Sequence, residues 1–391
     1  MPRLSPIRFA RQSFYHLRTE GDGRGGAAAA LGVGAFIGCL PLYGAHLLLV
    51  AVVGRLLRLN RLKMYAAANI SNPLIAPALI FLEVQAGAWL RRGQFHPLTI
   101  DAVRRTDVWT FGGDLILGSL VVAASAGTAI ALATRAAVWH APHLSAHIEQ
   151  TFALAADRYF AFSIAAWEFA RGKLRRDPIY RAALEGALPG RGTLVDIGCG
   201  QGLALAVLAD AAKQFAAGTW PADTIRPPRF DRMVGIETRA RVARMAAAAL
   251  GGDAEIFHAT APEGLPTELS AVLMFDVLHL LKADEQERLV AAVFDRVEPG
   301  GTALVRDVDA AGGWGFQAVR LGNRLKNIAV GRPWQPFHFR TEAGWADLFT
   351  RTGWVLNTTP MNQGTPFANV LFHLVKPANT PVDETPEPRS S

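Results

Sequence analysis

Thr193-Leu194-Val195-Asp196-Ile197-Gly198-Cys199-Gly200-Gln201-Gly202 decides the fold. A threonine, three apolar residues and one acid run into a loop with glycine at every second position, and residues 203–213 follow as a helix of small and aliphatic side chains. A strand, a tight glycine turn and a helix in that order form the first unit of a nucleotide-binding α/β fold. The glycines allow positive φ and let the backbone approach a ligand closely. Dinucleotide enzymes space these glycines as Gly-x-Gly-x-x-Gly, whereas this loop reads Asp-x-Gly-x-Gly-x-Gly.

Outward from the loop, Met233-Val234-Gly235-Ile236-Glu237 supplies a second strand ending in an acid. A carboxylate there can accept two hydrogen bonds from a vicinal diol, or it is simply a solvated strand end. Residues 271–279 look like a fourth strand, 283–297 a helix, Glu298-Pro299-Gly300-Gly301 a turn and 302–307 a fifth strand. A helix over 340–352 and strands over 353–358 and 368–375 complete the pattern.

The glycine loop resembles motif I of the class I S-adenosylmethionine-dependent methyltransferases, and the ordered motifs carry that resemblance over about residues 150–377. It implies a Rossmann-like α/β domain, a seven-stranded sheet with helices on both faces and an antiparallel last strand. It also implies S-adenosyl-L-methionine as cofactor, held by Asp196, Gly198, Gly200, Gly202, Glu237, Ala259 and Asp276. Two departures stand out. Asp196 and Glu237 lie 41 positions apart, about twice the usual interval, and the composition of residues 216–230 places the excess in a loop insertion. The adenine region, Glu255-Ile256-Phe257-His258-Ala259-Thr260, lacks the family's frequent Asp, so backbone near Ala259 is expected to serve.

Methyl transfer from a sulfonium is an in-line displacement that needs alignment and exclusion of water more than a strong base. His279, at the carboxyl end of the stretch read as the fourth strand, is the candidate base, or else a packing or capping histidine. Asp307 and Asp309 lie at the carboxyl end of the fifth strand, where open α/β sheets place ligands, and either orient an acceptor or simply form a solvated turn. The family's Asn/Asp-Pro-Pro-Tyr/Phe and Pro-Cys signatures for nucleic-acid and protein nitrogen or base-carbon chemistry are absent, so no nucleic-acid partner is expected. Residues 314–340 hold Trp314, Phe316, Arg320, Asn323, Arg324, Trp334, His338 and Arg340, an aromatic and basic insertion suited to a flat, apolar or acidic small-molecule acceptor. Arg171-Gly172-Lys173-Leu174 with Thr365-Pro366-Phe367-Ala368-Asn369 resembles methyltransferases encoded with bacterial aryl-polyene or lipid-like polyketide pathways.

The other end of the chain has a different chemistry. Of 391 residues only 19% are charged, the formal net charge is +7, and soluble domains average about 25% charged. The deficit is concentrated: no formally charged residue lies between Arg24 and Arg55, only Glu83 between Lys63 and Arg91, and none between Asp114 and Arg135. Each gap reaches the roughly 20 apolar residues that cross a bilayer. Arg3, Arg8, Arg11, Arg18 and Arg24 precede the first, and Arg55, Arg58, Arg61 and Lys63 follow it, as cytoplasmic flanks would. The alternative is a set of buried helices in a large soluble core.

Pro41-Leu42-Tyr43-Gly44 and Ser71-Asn72-Pro73 are expected to break the first two stretches, making re-entrant hairpins as plausible as full spans. The first 20 residues could form an interfacial helix. With Gly32, Gly38 and Leu59-Asn60, these elements resemble the bacterial domain-of-unknown-function family 2062, which implies a small bacterial membrane module. Two cysteines, Cys39 and Cys199, give no disulfide framework.

The expected organisation is a membrane-embedded helical module over 1–135, a helical linker or cap over 136–190 with one helix from about 145 to 173, the methyltransferase domain over 191–377 and a disordered tail over 378–391. The expected function is a membrane-tethered methyltransferase at the bacterial cytoplasmic membrane, with its catalytic domain on the cytoplasmic side, membrane lipid as partner and a small aromatic or lipid-like acceptor. The rival is a transport or scaffold protein whose methyltransferase-like domain only senses S-adenosylmethionine.

Overall fold

The computed structural model describes residues 15, 25–42, 44–96, 107–139, 144–185, 188–329, 336–362 and 367–378. The proposed interfacial helix, apart from Tyr15, and the tail beyond residue 378 lie outside the described residues, as do Tyr43, Trp334, Thr365 and Pro366. The chain divides into two compact units at Ala141 and Pro142.

The N-terminal unit is helical: α1 (Gly26–Gly38), α2 (His46–Leu56), α3 (Arg61–Ala68), α4 (Ala76–Arg92) and α5 (Val108–Trp139). The chain turns between α1 and α2 at Pro41 and Gly44, the latter with φ +87°. A short 3-10 turn, Asn69–Ser71, follows α3, and Asn72 accepts from Leu74 and Ile75 backbone N–H groups ahead of α4. Glycine sets the packing, since a Cβ on Gly87 would fall 1.8 Å from the Asp114 carbonyl and one on Gly118 1.7 Å from that of Glu83. Such close backbone approach is how helices associate when apolar burial against lipid offers no drive.

Where α4 meets the start of α5, fully buried Asp114 is clasped by Arg91 at 2.9 Å, Arg92 at 2.6 Å and His96 at 2.8 Å. Large apolar side chains point outward, among them Leu47, Leu48, Leu56, Leu74, Ile116 and Leu132. Among the described residues one helix, over Val108–Ala136, is long and apolar enough to cross a membrane, or two if the pair Arg61–Ser71 and Ala76–Arg92, bent by 78°, forms one span.

The C-terminal unit begins with α6 (Ala146–Asp157), α7 (Ile164–Arg176) and α8 (Ile179–Leu184) and then alternates: β1 (Thr193–Ile197), α9 (Leu203–Ala216), β2 (Arg232–Glu237), α10 (Ala240–Leu250), β3 (Glu255–His258), β4 (Leu269–Phe275), α11 (Ala283–Arg296), β5 (Val297–Val308), α12 (Gly313–Ala329), α13 (Glu342–Thr352), β6 (Val355–Pro360) and β7 (Asn369–Val375). The sheet order is β3-β2-β1-β4-β5-β7-β6, with β7 antiparallel to both neighbours and the other pairings parallel. This is the expected Rossmann-like seven-stranded sheet. Central β1 and β4 are buried along most of their length, as parallel strands covered on both faces must be. Val195, Ile197, Val272, Met274, Val305, Trp345 and Phe349 belong to the main core.

Several boundaries differ from the sequence reading. The single helix expected over 145–173 is two, because the chain bends after Asp157, whose carboxylate accepts from the Trp167 indole at 2.8 Å, and restarts at Ser163, whose hydroxyl caps Ala166. Asp276 at φ +61° ends β4 at Phe275, so His279 sits in a separate 3-10 turn. The expected Glu298–Gly301 turn is instead part of continuous β5. Gly300 there has φ +81°, and its N–H bonds to the Lys376 carbonyl at 2.9 Å, continuing the pairing beyond β7. α13 begins at Glu342 because Thr341 caps it, and Gly353 at φ +106° delays β6 to Val355. Residues 217–231 hold no helix or strand, in keeping with an insertion. They are anchored by buried Trp220, whose indole N–H donates to Ile225.

Candidate functional site

Strand order reverses about β1, which lies between β2 and β4, and open α/β sheets bind ligands at the carboxyl ends of strands at such a point. The glycine loop leaves β1 there. Gly198 and Cys199 N–H groups both donate to the Ile236 carbonyl, at 2.8 and 3.0 Å, pulling the loop against the end of β2. Gly198, Gly200 and Gly202 all have positive φ. A Cβ on Gly198 would press on Val277 at 2.5 Å and one on Gly202 on Leu250 at 2.7 Å, whereas one on Gly200 would meet nothing within 4 Å. Gly198 and Gly202 are therefore required by packing as well as by their positive φ, whereas Gly200 is favoured by its φ alone and borders open space.

Asp196, one residue before the end of β1, and Glu237, the last residue of β2, are both buried, and their environments shift their titrations in opposite directions. Burial, then repulsion from Glu237, raises Asp196 to about 7. Burial also acts to raise Glu237, but hydrogen bonds from Arg239 and from the Gly200 backbone outweigh it and hold the group below the usual carboxylate range. Arg239 donates to Glu237 through its backbone N–H at 2.9 Å, Nε at 2.9 Å and Nη2 at 3.0 Å. The loop's other side is fixed by the Tyr159 hydroxyl, which donates to the Gln201 carbonyl at 2.7 Å. Arg158, next to it, reaches Asp210 and Asp253 and ties α6 to α9 and to the turn after α10. Ala259 follows β3 directly and packs, partly buried, on the core.

Asp276 meets a different fate from the other acids. Its carboxylate pairs with Arg306, a fully buried residue of β5 that also pairs with Asp177 at the end of α7, where Lys173 adds a contact at 2.7 Å. For both Asp177 and Asp276 burial acts upward, but Arg306 and then Lys173 hold them below the ordinary carboxylate range. The Asp276 backbone is fixed too, by a bond from its N–H to the Arg306 carbonyl at 2.9 Å.

His279 and Asp307, inferred separately from sequence, form one unit. The imidazole Nδ1 lies 2.8 Å from one oxygen of the fully buried Asp307 carboxylate, and the His279 backbone N–H donates to the other at 3.1 Å. A carboxylate only accepts, so Nδ1 carries the proton and Nε2 is the basic nitrogen. Phe339 stacks on the imidazole at 4.9 Å, with Phe337 and Phe316 beside Phe339. Gln286 holds this lid, donating to the Leu278 and His338 carbonyls and accepting from Arg340. Asp309 caps instead, accepting from the Ala311 and Glu342 backbones.

Sequence reading missed Arg239, Gln286, Arg306, Asp177, Phe337 and Phe339. The alternation Phe337-His338-Phe339-Arg340 was a signal for an aromatic face. Among the described residues no group of three or more His, Cys, Asp or Glu could hold a metal ion.

Residues 7–145 match a family described as an uncharacterised protein conserved in bacteria, and residues 166–359 match a methyltransferase domain family. No curated protein matches the chain. Solved structures similar to it include a chain from the complex between the Haloferax volcanii Trm112 methyltransferase activator and a methyltransferase, 15% identical over 58% of this chain and 99% of that one with TM-score 0.40. A Thermotoga maritima S-adenosylmethionine-dependent methyltransferase is 19% identical over 57% and 99% with TM-score 0.35. One from Mesorhizobium loti is 17% identical over 51% and 96% with TM-score 0.36.

Proposed function

We propose that this protein, whose residues 166–359 match a methyltransferase domain family, is an S-adenosylmethionine-dependent methyltransferase held at the bacterial cytoplasmic membrane by its N-terminal unit, and that it methylates a small aromatic or lipid-like acceptor on the cytoplasmic side. The observation that carries this is the pairing of an intact glycine loop with Glu237 at the strand switch point. Gly200 there leaves open space where a Cβ would stand, which fits a ligand lying against the loop.

In this reading Glu237 accepts the cofactor's ribose hydroxyls, Asp196 faces its positively charged methionyl end, and the Gly198–Gly202 backbone, Ala259 and the Asp276 backbone line its bed. When bound, S-adenosylmethionine supplies an electrophilic methyl group on a sulfonium. His279 takes the acceptor's proton at Nε2 while Asp307 keeps the tautomer and steadies the imidazolium that results. Phe337, Phe339 and Phe316 exclude water and favour a flat apolar acceptor. Outward-facing leucines and the Val108–Ala136 helix support membrane attachment.

Membranes incubated with labelled S-adenosylmethionine and the full chain are expected to show label in an extractable lipid or pigment, and less of it with His279→Ala. Label in no fraction would favour the sensing role. Retention of the full chain on membranes through a carbonate wash is expected, and release would reduce the attachment to surface electrostatics.

A further inference from the structure

α12 reaches the His279 turn through Phe339 on one face and presents the other to solvent. On the inner face Phe316 meets Phe339 edge-on at 5.2 Å, and Phe339 in turn stacks on His279. On the outer face Trp314, Gln317, Arg320, Leu321 and Arg324 are all exposed. At 100° per residue these five fall within an arc of about 120°. Trp314 is 91% exposed and Leu321 60%, side chains that gain nothing from water.

The sequence of α12 carries Arg320, Arg324 and Lys326 and no acid. An apolar edge flanked only by cations is complementary to one kind of surface. Tryptophan settles at the headgroup level of a bilayer, and arginines beside it meet lipid phosphates. A protein partner or a second copy would have to present an unbroken acidic face to match it.

We propose that α12 docks on an anionic bilayer surface, so that the helix packed against Phe339, the ring stacked on His279, is also the entry route for an acceptor dissolved in the membrane. The inference rests on the membrane-held methyltransferase reading and extends it to the path of the acceptor. Each cation near such a surface strengthens association by roughly fivefold, so reversing Arg320 and Arg324 removes most of the attraction.

Cys39 and Cys199 are both buried, so Leu321→Cys in the full chain gives one accessible site for an environment-sensitive fluorophore. The labelled protein is reconstituted into phosphatidylcholine vesicles with or without phosphatidylglycerol, and titrated with S-adenosylmethionine in the same samples. With phosphatidylglycerol the emission is expected to shift to the blue and to be quenched by bilayer-embedded quenchers. Both effects should disappear with Arg320→Glu/Arg324→Glu, while cofactor binding is kept. A label that stays in water in both vesicles while S-adenosylmethionine binds overturns the docking alone. A label already shielded in lipid-free detergent overturns it in favour of a protein contact. A docked label without cofactor binding supports the docking and overturns the enzymatic reading.

Discussion

Replacing Asp196 by asparagine is expected to change how stability depends on pH, with a sign that the site's electrostatics fix. Below about pH 4 folded and unfolded chains both hold the Asp196 proton and the group makes no difference. Above that the unfolded chain ionises while the folded one keeps its proton. Wild-type stability therefore falls as pH rises, until the folded group ionises near 7. The interval from the ordinary 3.8 to about 7, at about 1.4 kcal/mol per pH unit, puts the whole loss on the order of 4 kcal/mol. Asp196 is fully buried, so solvent screening does little to reduce it.

Asparagine removes the ionisation but adds an amide whose hydrogen bonding has its own cost, and that cost is independent of pH. The quantity to measure is thus the stability gap between variant and wild type, by denaturant titration of the full chain in detergent near pH 5 and near pH 8. The gap should move in the variant's favour by about 3 kcal/mol between the two, or about 6–12 °C in Tm for a unit of this size. The same variant should bind S-adenosylmethionine more weakly. A gap constant to within about 0.5 kcal/mol would refute the claim that Asp196 is a desolvated acid facing Glu237.

Arg306→Leu strands the Asp177 and Asp276 carboxylates and is expected to destabilise by about 3–5 kcal/mol at neutral pH, nearer the lower value because Asp276 is partly exposed. In wild type both acids are held low, so their contribution is present above the ordinary carboxylate range and lost as pH falls. The variant's deficit should shrink in acid, and a deficit equal at pH 4 and pH 7 would argue against the ion triad. Asp307→Asn should slow methyl transfer by about 10²–10⁴-fold, flatten the acid limb of the pH–rate profile and leave cofactor affinity unchanged. Loss of binding instead would make the pair a structural brace.

The parts legible in the sequence are those whose causes are local. The glycine loop, Glu237 after its strand, the breaks at Pro41 and Asn72 and the loop at 217–231 each depend on residues within one turn or strand. The parts that escaped are made at a distance. The bend after Asp157 is held by the Trp167 indole ten residues on and by Arg158 reaching Asp210 and Asp253 far along the chain. Arg306 reads as one more residue of an apolar strand until Asp177 and Asp276 arrive from other elements. The sequence shows Glu237 as open to a diol, yet its own neighbour Arg239 already holds both oxygens, so any diol there would compete with a half-exposed guanidinium. His279 and Asp307 were each named, but only β4 lying beside β5 brings them to one hydrogen bond.

The central claim, that the loop and Glu237 hold S-adenosylmethionine, is tested most directly by calorimetric titration of that compound into the full chain and its Gly200→Arg variant. A Cβ at Gly200 meets no protein atom within 4 Å, so the arginine costs the fold only the positive φ, about 1–2 kcal/mol, while filling the ligand's space. The account predicts binding in the micromolar range common to enzyme ligands for wild type and none for the variant, with both folded. A folded wild type that gives no binding heat, or a variant that binds as tightly, would contradict it.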